Sequence, residues 1–216
     1  MADIFREVDE EVRKDKASEL WKKYGIYVVL ACIILVLGTA GRVAWRHYDT
    51  ERQMEEASRY VAASRLSNAG DLDAAIGSLA SLSEEASGGY GLIARFREAA
   101  ARGANDDVDS AVRLYDRLAA DSGIDDMFRE LASLRAAMLL FDTADPADLS
   151  ARLAPLAQDN KPWRYSALEL QALLKFRTGD IDGAKTAFGA LVEDANAPNG
   201  LKARAREMLA AMGVEG

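Results

Sequence analysis

The longest apolar stretch of the chain is Tyr24–Gly41, 18 residues without a charged side chain. As an α-helix this stretch spans roughly 27 Å, close to the roughly 30 Å of hydrocarbon in a bilayer. Aromatic and basic residues flank it on both sides, as they do at membrane–water interfaces. The pattern predicts a transmembrane helix over residues 24–46, in contact with membrane lipid through anchor residues that include Tyr24, Cys32, Gly38, Gly41 and Trp45.

Residues 1–23 are charged and nearly neutral, and four apolar residues recur there at helical spacing: Ile4, Phe5, Val8 and Val12. They predict a weakly amphipathic cytoplasmic tail. Close to the apolar stretch, five basic residues precede it and four follow it: Arg13, Lys14, Lys16, Lys22 and Lys23 before, and Arg42, Arg46, Arg52 and Arg59 after. A large following domain is translocated largely regardless of charge. We therefore expect residues 47–216 to lie outside the cytoplasm. The alternative is a cleaved signal peptide, because Gly38, Thr39 and Ala40 imitate a small-residue cleavage site.

Beyond Tyr48 the apolar residues follow a helical period, and a motif recurs. It consists of Asp, an aliphatic residue, Asp, a small residue and Ala, then Leu, Tyr or Phe four positions later and Leu three further. Its copies begin at Asp71, Asp107, Asp145 and Asp180, at spacings of 36, 38 and 35 residues. The third copy, DPADLSARLAPL, keeps only the apolar positions. A period of this length is typical of helical repeats.

Each copy reads as the second helix of a hairpin, because the leading Asp can cap a helix and the apolar positions share one face. A first helix is predicted ahead of each copy, over Glu55–Asn68, Tyr90–Arg102, Met127–Phe141 and Trp163–Thr178, and a closing helix over residues 198–212. Residues 68–70, 103–105 and 178–179 are predicted to end the first helices. The fold class is therefore all-α, with about four tetratricopeptide-like pairs in a solenoid.

Charge and composition exclude several functions. Residues 48–216 carry a net charge of −9, which excludes nucleic acid as the main partner because phosphate binding needs clustered cations. The only cysteine, Cys32, lies in the apolar stretch, and the only histidine, His47, lies beside it. A catalytic triad or a zinc site needs more such side chains, so we expect no enzyme, no cofactor and no metal.

Two further motifs have simple interpretations. The segment SGGYG, with Gly88, Gly89 and Gly91, lacks the lysine of a phosphate-binding loop. We interpret these glycines as a flexible connection between helix pairs. The repeated Asp-x-Asp lacks the Gly and Glu of a calcium loop, so we expect helix capping there.

What remains is a binding surface. The first helices of such pairs line a groove, and they carry Tyr60 and the candidate partner-binding residues Tyr90, Phe96, Phe128, Trp163, Arg164 and Tyr165. Most of these rings are expected to pack in the core. The last three open a helix just after Lys161 and Pro162 and are expected to be the exposed cluster. Aromatic rings beside arginine suit an extended or helical peptide.

The chain resembles the ancillary subunit of the SecYEG translocon, the YfgM-type proteins, in three features. These are a single anchor after a short tail, the aromatic and basic segment GRVAWRHY that follows the anchor, and four degenerate helix pairs. YGLIARFREAAA (residues 90–101) and LKFRTGDIDGAKTAF (residues 174–188) carry the resemblance most closely. It implies a non-catalytic, single-pass protein of the cell inner membrane with its domain in the periplasm. Its implied partners are Sec translocon channel subunits and a membrane-anchored periplasmic chaperone of the peptidyl-prolyl isomerase type.

The sequence thus leads to two functional hypotheses. The first is a scaffold or chaperone-like accessory of the Sec protein-export channel, docking folding factors or emerging polypeptides. The alternative is an adaptor for cell-envelope or division machinery with the same kind of groove.

Overall fold

The computed structural model describes residues 2–86 and 88–213, and the side chains from Trp21 onward except those of residues 28 and 31. The described residues contain helices and no strand, with these bounds: α1 Ala2–Asn68, α2 Leu72–Glu85, α3 Gly89–Ala104, α4 Val108–Ala120, α5 Asp126–Leu139, α6 Pro146–Leu153, α7 Arg164–Arg177, α8 Ile181–Glu193 and α9 Asn199–Ala211. The predicted all-α class is confirmed. The amphipathic face predicted from Ile4, Phe5, Val8 and Val12 lies outside the described side chains.

The chain divides into two units, Met1–Glu55 and Glu56–Gly216, and the division falls within α1. The predicted bounds of tail, span and domain (1–23, 24–46 and 47–216) stay predictions. In the first unit, the side chains described over the apolar stretch are exposed, and the helix is long and apolar enough to cross a membrane. It lies near the N-terminus, where a signal sequence would have the same composition.

In the second unit, first helices (the end of α1, then α3, α5 and α7) alternate with second helices (α2, α4, α6 and α8), and α9 is the closing helix. Among the described residues the core of this unit forms four clusters, each centred on one second helix (α2, α4, α6 or α8) and the two helices beside it. The motif's apolar positions are buried, as predicted: Ala75, Leu79, Leu82, Ala111, Tyr115, Leu118, Leu149, Leu153, Leu156, Ala184, Phe188 and Leu191. No helix pair buries its own apolar face alone, so stacking of neighbouring pairs supplies the core.

The capping prediction is confirmed in all four copies. Each leading Asp accepts a hydrogen bond from a backbone N–H of the first turn: Asp71 from Ala74 at 3.3 Å, Asp107 from Ser110 at 3.3 Å, Asp145 from Ala147 at 2.8 Å and Asp180 from Gly183 at 3.0 Å. These carboxylates satisfy N–H groups that have no partner within the helix. Asp125 caps α5 in the same way, accepting from Met127 at 2.8 Å.

Helix α3 ends at Ala104, within the predicted residues 103–105, but its turn differs from the other two in the left-handed residue. Gly70 and Gly179 precede Asp71 and Asp180 with φ of 85° and 82°, as expected for helix ends. At the equivalent place before Asp107 the left-handed residue is Asp106, with φ of 59°, and Gly103 lies inside α3. A Cβ on Gly103 would stand 3.1 Å from Leu139 Cδ2, so this glycine permits close packing of α3 on α5.

Two other local predictions need correction. Helix α6 ends at Leu153, before the predicted Leu156, because Pro155 has no N–H to continue it; Leu156 is still buried, from the following turn. The glycines of SGGYG are not simply a flexible connection: Gly88 precedes α3 with φ of 79°, and Gly89 and Gly91 lie within that helix. A Cβ on Gly91 would collide with the carbonyl oxygen of Ala86.

Candidate partner-binding surface

Four of the aromatic side chains predicted to line the groove pack between helices. The ring centroids of Tyr60 and Tyr90 lie 6.3 Å apart, and those of Phe96 and Phe128 lie 6.4 Å apart. Phe96 also stands 6.0 Å from Tyr115 of α4. Tilted rings at these distances attract one another through their quadrupoles. Tyr60, Tyr90, Phe96 and Phe128 are each half-buried, so part of every ring stays accessible from solvent.

Trp163, Arg164 and Tyr165 were expected to be the exposed cluster, but all three are half-buried, like the four rings above. Trp163 packs against the core cluster of α5, α6 and α7, and its Nε1 donates to the carbonyl oxygen of Met127 at 2.8 Å. The guanidinium of Arg164 lies 5.2 Å from the centre of the Tyr165 ring. The trio holds the start of α7 to its neighbours.

Asp194 is the shared partner of Arg164 and Tyr165. The Tyr165 hydroxyl donates to Asp194 Oδ2 at 3.1 Å, and Arg164 Nη1 lies 3.4 Å from the same oxygen. The backbone N–H of Asn196, followed by these two side chains, lowers the pKa of Asp194, and partial burial followed by the Asp194 contact raises the pKa of Tyr165. At neutral pH the phenol therefore stays protonated and the carboxylate ionised.

Sequence reasoning missed a set of contacts between consecutive repeats. Arg152 pairs with Asp116 and Arg177 donates to the carbonyl of Phe141, each across 36 residues, while Arg204 holds Glu169 with two bonds of 2.7 Å across 35 residues. The repeat period itself was the signal, since residues one period apart lie side by side in stacked helices.

The accessible apolar side chains of the first helices were also missed. Ile93 on α3, Met127 and Met138 on α5 and Phe176 on α7 are 38%, 42%, 47% and 41% exposed. Such side chains on a surface that carries aromatic rings are typical of protein contacts. They extend the candidate surface beyond Tyr90, Phe96, Phe128, Trp163, Arg164 and Tyr165, whose role in binding stays a prediction.

In the first unit, the predicted anchor residues Tyr24, Cys32, Gly38 and Trp45 are all exposed on α1, as is Gly41. The hydroxyl of Thr39, which lies between the two glycines, donates to the carbonyl oxygens of Leu35 and Val36, both at 2.9 Å. This satisfies the hydroxyl within the helix, which a hydrocarbon environment requires. His47 lies 3.3 Å from Glu51, one turn further along.

No group of three or more His, Cys, Asp and Glu side chains that could hold a metal ion occurs within the described part of the chain. The buried carboxylate of Glu98 is paired with Arg102 at 2.9 Å. The carboxyls of Glu85, Asp107, Asp121 and Asp194, whose pKa values are lowered, lie at helix ends, and each accepts hydrogen bonds. These groups serve packing and capping.

Residues 18–210 of the chain match a known family model, that of the tetratricopeptide repeat-like domain. The chain belongs to this family. As a tetratricopeptide repeat-like protein it has the architecture of a protein-interaction scaffold, and folds of this type are typically non-enzymatic.

Two solved structures share the fold. They contain the nearly identical TPR-like repeats of a candidate kinesin light chain from Podosopora anserina, one of them as a variant with a single substitution. Their TM-scores are 0.52 and 0.51 at 17% and 16% identity, and each match covers 73% of this chain and 92% of the other. No protein of curated function matches the chain.

Proposed function

We propose that this tetratricopeptide repeat-like protein is a membrane-anchored, non-catalytic scaffold of the Sec protein-export channel. Residues 24–46 span the cell inner membrane, residues 1–23 lie in the cytoplasm and residues 47–216 lie in the periplasm. The partners are channel subunits and a membrane-anchored periplasmic chaperone of the peptidyl-prolyl isomerase type. One observation carries the proposal: a long apolar helix, exposed over its most apolar part, stands in the same chain as a repeat array of the protein-interaction type.

The mechanism is effective concentration. A domain held beside an exit site meets emerging polypeptides at a local concentration that a free domain does not reach, so weak contacts are sufficient. The half-buried rings of Tyr90, Phe96 and Phe128, with the exposed Ile93 and Met138, offer shallow apolar contacts of this kind. Shallow contacts also release a folding client quickly, because dissociation rates follow contact strength.

Affinity purification of the full chain in mild detergent tests the proposal. The native chain is compared with a variant whose residues 24–46 are replaced by a leucine–alanine helix of equal length, which keeps the membrane location. Channel subunits and an isomerase-type chaperone are expected with the native chain, and the channel subunits are expected to be lost with the replacement. Recovery of division proteins instead, with the chain concentrated at the septum, would contradict the export role and favour the adaptor hypothesis.

A further inference from the structure

A cleft of about 680 Å³ lies between α2, α3 and α4, and a smaller one of about 220 Å³ adjoins it and shares Glu98, Arg102, Leu114 and Arg117. Four arginines line the two clefts: Arg95, Arg102, Arg113 and Arg117. We call the combined region the arginine cleft. Its charged lining also includes Glu84, Glu98 and Asp121. A group of four arginines is unexpected in residues 48–216, whose net charge is −9.

Two of these arginines are held in place by carboxylates. Arg95 Nη1 lies 2.9 Å from Asp121 Oδ2. Arg102 Nε donates to Glu98 Oε1 at 2.9 Å, and its Nη1 lies 3.3 Å from Asp107. Glu98 is only 5% exposed, so the Arg102 side chain is fixed against the cleft floor. Each guanidinium has five N–H donors, and several on each stay unused.

The other two arginines stand one turn apart on α4 and are exposed. Neither Arg113 nor Arg117 forms an ion pair with a carboxylate of the described residues, and Arg113 Nη2 donates a hydrogen bond to the Ser110 hydroxyl at 2.7 Å. Residues at this spacing lie about 5–6 Å apart on one helix face. Two like charges so placed repel each other, and an anion that binds both removes that repulsion.

The repeat fold itself does not require Arg113 and Arg117. By contrast, Arg95 has an equivalent in another repeat: Arg59 bonds Glu85 as Arg95 bonds Asp121, so Arg59 and Arg95 serve the packing of helix pairs. The positions of Arg113 and Arg117 in the other three motif copies hold Gly77 and Ser81, Ala151 and Pro155, and Thr186 and Ala190. The second repeat alone carries the cationic pair, which points to a role in binding.

We propose that the arginine cleft binds acidic segments of partner polypeptides, with Arg113 and Arg117 bonding their carboxylates. This inference rests on the proposed scaffold function and names the chemistry of one partner. Leu114, Leu118 and Ala80 in the lining accept aliphatic side chains between the carboxylates. Glu84, Glu98 and Asp121 in the lining are hydrogen-bond acceptors for peptide N–H groups. A phosphate backbone has no such N–H groups, which favours a peptide over nucleic acid or an anionic lipid surface.

Fluorescence anisotropy on the full chain in phosphatidylcholine nanodiscs tests the proposal. The probe is a fluorescein-labelled (Glu-Ala)4 peptide, with (Gln-Ala)4 as its neutral counterpart. R113Q/R117Q is expected to weaken (Glu-Ala)4 binding by about tenfold or more, since each substitution removes a charge-assisted hydrogen bond. The matched control K202Q/R206Q removes two positive charges from α9, which lines neither part of the cleft, and is expected to leave binding unchanged. R113K/R117K, which keeps the charge, is expected to retain most of the affinity.

The proposal is overturned if (Glu-Ala)4 does not bind, if (Gln-Ala)4 binds equally well, or if the α9 control loses as much affinity as R113Q/R117Q. Equal binding of an eight-nucleotide oligothymidylate, or of phosphatidylglycerol nanodiscs, would also overturn it by showing a general anion surface. The assay contains no channel, so peptide binding can succeed while association with the export channel fails, and the two results are distinguishable.

Discussion

The indole Nε1 of Trp163 donates a hydrogen bond to the carbonyl oxygen of Met127 at 2.8 Å, and the two residues lie 36 positions apart. They occupy equivalent places at the starts of α7 and α5. The bond therefore joins one repeat to the next and stabilises the stack, while the role of Trp163 in partner binding stays a prediction.

Replacing Trp163 by Phe keeps an aromatic ring and removes the N–H. We expect a loss of about 1 kcal/mol in the free energy of unfolding, since the hydrogen bond between the indole and the Met127 carbonyl oxygen is lost. Urea unfolding of the full chain in detergent, followed by circular dichroism, measures it. W45F removes an indole that is 73% exposed on α1 and is expected to leave the unfolding midpoint unchanged. Equal midpoints for wild type and W163F would contradict the role of this bond.

The glycine at position 91 is required by close packing. A Cβ there would collide with the Ala86 carbonyl, so we expect G91A to destabilise the domain by roughly 1–3 kcal/mol in spite of the better helix propensity of Ala. Gly189 on α8 has no atom within 4 Å of its would-be Cβ. G189A is therefore expected to stabilise by about 0.5–1 kcal/mol. Thermal unfolding of both variants checks the opposite signs, and a stabilising G91A would refute the packing argument.

The leading Asp of each motif copy caps a helix, and we expect no cation to bind there. D180A is expected to cost about 1 kcal/mol, while D180N, which keeps an oxygen acceptor, is expected to cost less than half of that. Chemical unfolding with and without calcium measures both effects. A calcium-dependent rise in wild-type stability that D180N abolishes would argue for a cation site instead.

Asp194 makes part of the stability depend on pH. Its pKa is lowered in the folded protein, chiefly by the N–H of Asn196, so its contribution is complete above the unfolded value near 3.8 and is lost as the pH falls through the lowered folded value. The stability difference between wild type and D194N is expected to be constant from pH 7 to about pH 5 and to shrink below about pH 4. D142N, at an exposed turn position, serves as the control. A difference that grows on acidification would reverse the sign of this linkage.

The features that could be predicted from the sequence are those that depend on nearby residues. Asp71, Asp107, Asp145 and Asp180 each cap a helix through an N–H two or three positions later, and Gly70 and Gly179 permit the turns before two of them. The buried positions of the second helices followed from helical spacing in the same way.

The features that the sequence did not predict depend on residues about one repeat apart. The partner of Trp163 lies 36 residues away, and the reason for Gly103 is Leu139 on another helix. The position of Trp163 at the start of a helix, just after Lys161 and Pro162, led to its placement on the surface. That position does not reveal what the preceding repeat places against it. The four-residue spacing of Arg113 and Arg117 can be seen in the sequence. That neither forms an ion pair with a carboxylate depends on how α2, α3 and α4 pack, which the sequence does not show.

Photocrosslinking from the apolar helix tests the central claim most directly. A benzophenone amino acid is introduced at Ile34, Leu37 or Val43, which are 64%, 66% and 66% exposed, and at Ala203 on α9 as the control. The proposed function predicts that irradiation of native membranes yields adducts with a channel subunit from at least one position in the apolar helix, and none with that subunit's membrane segments from Ala203. Efficient adducts from all three positions that never contain a channel subunit would contradict it.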